Sequence, residues 1–233
     1  VNRTRYLSVG FDQRFQPYDI PKLRAAIIEK TRRQSDLFHN HLGEDGYVYR
    51  YPLIQYKIKD KRPLLVCLGE ATEDIHYLLR EKDYDFNING RLYNMEIEDV
   101  LLKYERIQTY DRLFRYNIHN YLALNQENYR KWQDTESLVE RIAMLEDLLY
   151  KHIAIFAEEM HAHMPHELKV RILEILGEKH LEYKRIHHLT FRLNFECNLH
   201  IPNYVGIGKG VSVGFGIVKR LGGRRKKESK KSH

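Results

Sequence analysis

From Leu189 to Ile201 apolar residues hold every second position: Leu189, Phe191, Leu193, Phe195, Cys197, Leu199 and Ile201 alternate with Thr190, Arg192, Asn194, Glu196, Asn198 and His200. A period of two belongs to a strand, and a run this long demands a sheet with one buried and one polar face. The polar face is not strongly basic. Pro202 ends the run. The remaining chain must supply this strand's neighbours and a cover for its apolar side.

The order of the other elements is legible from the same kind of pattern. Residues 6–15 read as a strand, and Asp19 with Pro21 opens a helix that runs to about Ser35. YVYRYPLIQYKI, residues 47–58, reads as a strand interrupted by Pro52, and residues 64–69 as a short apolar strand. Residues 70–81 fit a second helix, and Asn89–Gly90 suits a tight hairpin. The stretch to residue 109 reads as extended, with EIEDVLLKYERI open to a helical reading. Strand, helix, strand, strand, helix, strand is the split β-α-β-β-α-β pattern.

A second half begins with a strand over 112–124. Residues 125–160 are helical, with Leu138, Ile142, Leu145, Leu149, Ile153, Phe156 and Met160 on one stripe and Ser137 and Glu140 placed for a capping box. LKVRILEIL reads as a strand with a turn at Gly177, followed by the alternating strand, a glycine-rich segment and a last strand, GIVKRL. The expectation is an α+β chain of two tandem ferredoxin-like (β-α-β-β-α-β) domains, residues 1–109 and 110–221. In the second, the glycine segment takes the place of the second helix, and residues 222–233 form a basic tail.

Charge separates that tail from the body. Residues 219–233 carry the whole of the chain's net charge of +7, so the body is neutral and charge alone does not mark a nucleic-acid protein. Cys67 and Cys197 lie far apart, which indicates neither a disulfide framework nor a cysteine metal site and fits a reducing compartment. No stretch approaches the roughly 20 apolar residues of a membrane helix, and VNRTRYLSVGF lacks the apolar core of a signal peptide. A cytoplasmic protein without membrane contact is expected.

The glycine segment is VGIGKGVSVGFGIVKR, with Gly206, Gly208, Gly210, Gly214 and Gly216 around Lys209. It lacks the G-K-[ST] of a P-loop and does not open a helix after a first strand, as a dinucleotide fingerprint would. By itself it reads as a supple turn or as a loop bringing backbone N–H groups to a polyanion. IPNYVGIGKGVSVGFGIVKR resembles the C-terminal glycine-rich motif of the CRISPR-associated endoribonucleases that cut repeat-containing transcripts into guide RNAs, members of the repeat-associated mysterious protein superfamily. The likeness is strongest over residues 189–220 and looser over LALNQENYRKW and FHNHLGEDGYVYRYPLIQYK. It implies two ferredoxin-like domains and metal-independent cleavage of CRISPR repeat RNA, with no cofactor. Attack by the 2′-OH would leave a 2′,3′-cyclic phosphate and a 5′-OH.

A histidine can take the proton of the 2′-OH or return one to the leaving oxygen, because it titrates near neutrality. The resemblance puts the catalytic histidine near the end of the first helix, hence at His39 or His41, with His41 nearer the expected strand. Tyr47 and Tyr49 are candidates for a stabilising tyrosine, and Lys57 for neutralising the phosphorane. Lys209 and the glycine backbone would hold phosphates, with Arg192 and Asn194 adding contacts. The partner is then CRISPR repeat RNA, bound by a monomer or homodimer, with a CRISPR effector complex as a second expected partner. Two rival readings stay open: a guide-RNA-binding subunit of such a complex with no cleavage activity, and a metal-dependent hydrolase using His161, His163 and His166. No metal site is expected: Glu158 and Glu159 are nearby candidates on the helix side, but no local acid or cysteine completes the three histidines and Pro165 breaks the helix between them.

Overall fold

The computed structural model describes residues 3–31 and 51–222. In its first half β1 (Thr4–Phe11) leads to α1 (Ile20–Lys30), then β2 (Ile54–Lys59), β3 (Arg62–Leu68), α2 (Ala71–Leu79), β4 (Tyr84–Ile88), β5 (Arg91–Met95) and β6 (Ile97–Glu105). The main sheet is antiparallel in the order β2-β3-β1-β6, with the β4–β5 hairpin added to it as a separate pair. Asn89 and Gly90 both take positive φ, 56° and 76°, as a two-residue hairpin turn requires. The segment open to a helical reading is strand β6, and its pairing with β1 along nearly its whole length decides the matter.

The second half contains β7 (Thr109–Tyr121), α3 (Gln126–Asp134), α4 (Leu138–Glu159), β8 (Val170–Tyr183), β9 (Ile186–Leu199) and β10 (Ile217–Arg220). Its sheet runs β10-β7-β9-β8. Numbered within each half, both sheets read fourth, first, third, second. The chain is therefore α+β, with two ferredoxin-like units in tandem. Where the first has α2, the second has only a short 3-10 turn, Val211–Val213, inside the glycine segment.

Capping divides the long helical region. Asn125 accepts from the N–H of Asn128 at 2.7 Å and starts α3, while Ser137 accepts from Glu140 at 3.4 Å and starts α4. Leu145, Leu149, Ile153 and Phe156 of α4 are fully buried, each stabilising the fold by about 1.5–3 kcal/mol.

One expected turn is misplaced. Gly177 lies inside β8, at a bulge where the register with β9 shifts between Ile175 and Gly177. The turn comes later, at Lys184 and Arg185, which both take positive φ (53° and 65°) without the glycine or asparagine that usually announces such a hairpin.

Candidate functional site

The glycine segment lies against β2 of the first domain, where three polar side chains grip it. Tyr51 donates its hydroxyl to the Gly206 carbonyl at 2.6 Å. Gln55 accepts from the Gly206 N–H at 2.9 Å and donates to the Tyr51 oxygen at 2.8 Å. Lys57 donates to the Val211 carbonyl at 3.0 Å. A Cβ on Gly206 would stand 2.6 Å from the Val211 Cβ and 2.9 Å from the Lys57 nitrogen, so only glycine fits between them. The loop is first of all a joint between the domains.

That joint changes the roles expected of its residues. Lys57 was the candidate for meeting a phosphorane, yet it is completely buried under Val211, and burial brings its pKa down to about 7. In this arrangement it positions the loop. Gly206, Gly208 and Gly216 are buried too, while Lys209, Gly210 and Gly214 are half-exposed. Any phosphate contact made by the loop therefore falls on those three and on the turn between them.

Beside Lys209 lies a histidine that the sequence reading passed over. The Tyr121 hydroxyl, which burial keeps protonated, shares a hydrogen bond with Nδ1 of His152 at 2.8 Å. Burial, with the charge of Lys209 added, lowers His152 to about 4. The unfolded chain takes up this proton near pH 6.5 and the folded chain only near 4. Stability is thus complete above pH 6.5 and drains away between those values, by about 3 kcal/mol for this group. Urea unfolding at pH 7.5 and pH 5 is expected to show the loss, and His152→Gln to reduce it, with the remainder due to His119, which burial lowers in the same way.

His39, His41, Tyr47 and Tyr49 lie outside the described residues. Their segment joins α1 to β2, and both described flanks border the glycine segment. α1 packs against the Val211–Val213 turn, and Tyr51 is bonded to Gly206.

Arg192 and Asn194 sit on the outer face of the second sheet, and the register adds neighbours that no single strand announces. Asn117 of β7 donates to the Asn194 side chain at 2.8 Å. Glu196 is buried between Arg171 at 2.6 Å and Arg115 at 3.8 Å, and those two arginine side chains remain 68% and 70% exposed. His119 is pushed down to about 4 by burial and then by Lys219, Arg192 and Lys179. Cations from all four strands thus share a face whose best-buried carboxylate is already neutralised. At its margin Lys59 and Lys219 stand over the half-exposed ring of Tyr204, at 5.6 and 5.0 Å.

The other histidine cluster serves the fold. The main chain of His163 bonds Ile107 and Thr109, and that of His166 bonds the Thr109 hydroxyl. Among the described residues no three His, Cys, Asp or Glu side chains are placed together to hold a metal ion. Nor is any described helix long and apolar enough to cross a membrane.

Comparison with known proteins gives one consistent result. Residues 2–106 match the family model of the Cas6b N-terminal domain, and residues 108–221 that of the Cas6b C-terminal domain. The structure superposes on a crystal structure of Cas6b with a TM-score of 0.84 and 25% identity, covering 94% of this chain and 100% of the other. A second structure, of the CRISPR RNA processing endoribonuclease Cas6b, gives a TM-score of 0.72 at 24% identity over 94% of this chain and 100% of that one. An uncharacterized protein of Methanocaldococcus jannaschii, MJ0978, is 28% identical over 138 residues, 59% of this chain and 92% of that protein.

Proposed function

The chain belongs to the Cas6b family and is an endoribonuclease that processes CRISPR repeat RNA, and from that premise we propose a mechanism for its cut. One imidazole of the His39/His41 pair takes the proton from the ribose 2′-OH. The O2′ attacks the adjacent phosphorus, the bond from phosphorus to O5′ breaks, and the leaving oxygen receives a proton from an imidazolium. The products are a 2′,3′-cyclic phosphate and a 5′-OH. Because the nucleophile is internal, the step needs no activated water.

The observation that carries this reading is the grip of β2 on the glycine segment. Tyr51, one residue beyond the segment that holds His39 and His41, is bonded to Gly206. Lys209 and the half-exposed turn of the same loop would hold the RNA backbone, beside the described flanks of the segment that carries the histidine pair. The outer face around Arg192 and Asn194 holds the flanking RNA through its phosphates, which fixes register and reads no bases.

The test is the chemistry of the ends. Labelled repeat RNA incubated with the protein in EDTA should be cut at one position. The downstream fragment should accept a label from polynucleotide kinase without prior dephosphorylation. A 2′-deoxy substitution at the cut should block the reaction. A downstream fragment with a 5′-phosphate, or undiminished cutting of the deoxy substrate, would sink the mechanism.

A further inference from the structure

At the far end of the second sheet is a cavity of about 210 Å³, lined by Arg106, Arg112, Arg220, Phe114 and the paired Glu105 and His200. It opens on the face opposite Arg192 and Asn194. Register sets that: Lys219 pairs with Asn117 on the outer face, and the next residue, Arg220, pairs with Tyr116 on the other. The guanidinium of Arg220 stands 4.5 Å from the centre of the Phe114 ring and that of Arg112 stands 5.0 Å from the same centre. Two like charges thus converge on one buried ring, with Arg106 beside them.

None of Arg106, Arg112 and Arg220 forms an ion pair with a described residue, whereas the surface pairs Lys131–Glu127 and Lys151–Asp147 do so. The carboxylate in the cavity is already committed. Glu105 bonds His200 at 2.9 Å and pairs with Lys103, and those contacts, the His200 bond foremost, hold its pKa near 2. Three guanidinium groups at a concave site whose one carboxylate, Glu105, is bonded to His200 and Lys103 favour an anion, and their planar forks suit a phosphate.

We propose that this cavity binds a backbone phosphate of the repeat RNA, at a linkage distinct from the one cut. The proposal rests on the RNA-processing reading and extends the RNA path beyond the outer face. Lys219 and Arg220 are successive residues of edge strand β10, so a strand leaving the outer face past Lys219 meets Arg220 next. The chain beyond then continues into Arg224, Arg225, Lys226 and Lys227. Arg112 and Arg220 clamp the phosphate against the Phe114 edge of the cavity, and Arg106 closes it.

The experiment is a coupling measurement. Labelled repeat RNA is titrated at several salt concentrations with the full chain and with Arg112→Gln/Arg220→Gln. The double variant should bind about tenfold more weakly, and its salt dependence should be shallower by about 0.7 in log–log slope for the one phosphate released. Repeat RNAs carrying one neutral methylphosphonate linkage each are then scanned. One linkage, away from the cut, should weaken binding to the unaltered protein and leave the double variant unaffected. Equal affinity and slope for the two proteins would overturn the proposal. So would a scan of the unaltered protein that finds no such linkage, a result that holds even if the variant misfolds. Failure of the cleavage mechanism would appear separately, in the end chemistry of the unaltered protein.

Discussion

Gly216→Ala is expected to destabilise the protein by about 3 kcal/mol or more and to lower its melting temperature by on the order of 10 °C. The added Cβ would lie 1.8 Å from the carbonyl oxygen of Ile207, and the backbone there sits at φ +61°, where an L side chain is strained. Backbone has to move, because no flexible side-chain end is available to yield. The bonds it would disturb are Ile207 N–H to the Gly216 carbonyl and Gly216 N–H to the Asn120 carbonyl, each 2.9 Å, which fasten the two arms of the loop to each other and to β7. RNA affinity should fall with stability, since Lys209 is carried on the same loop. Gly177→Ala is the control: its Cβ would meet nothing within 4 Å and its φ is unstrained, so its melting temperature should stay within about 1–2 °C of the unaltered protein. Equal behaviour of the two variants in thermal unfolding would show that the joint is not as tight as the geometry says.

The contrast between these glycines marks what sequence can and cannot show. Periodicity found the strands because burial on one face leaves a period of two wherever the other face is polar, and β9 is the plainest case. Local turn chemistry was less dependable. Gly177 carries a usual turn signal and lies in a bulge, while Lys184 and Arg185 carry none and make the hairpin. Tertiary pairing of two long strands settles that conflict over local preference. The outer face was half legible, since Arg192 and Asn194 lie on one visibly alternating strand. Lys179, Lys219, Arg115 and Arg171 join them only through register, which no single strand encodes. Lys57 is the sharpest lesson. As a lysine on a strand near the expected active site it suggested contact with phosphate, and only the docking of the glycine segment above it revealed a buried amino group bonded to Val211.

Replacing both His39 and His41 by alanine is expected to slow single-turnover cleavage by about a thousandfold, within the range that general acid–base groups contribute, while RNA affinity changes by less than about twofold. Binding should persist because the groups proposed to hold RNA lie elsewhere, on Lys209, the outer face and the Arg112–Arg220 cavity. The single variants separate the roles. Loss of the base removes the rising limb of the pH–rate profile, and loss of the acid removes the falling one. His41→Ala should give the larger loss, because His41 is the nearer of the two in sequence to strand β2. Undiminished cleavage by the double variant would take the chemistry away from this segment, and the structure names where to look next. His152 keeps its imidazole neutral beside Lys209, while His119 is held neutral among Lys219, Arg192 and Lys179. Each titrates near 4 in the free protein, so either would act as a base only. A bound phosphate would offset the nearby cations and raise that value, and a cleavage profile rising from pH 4 to 6 would distinguish these two from an ordinary histidine near 6.5.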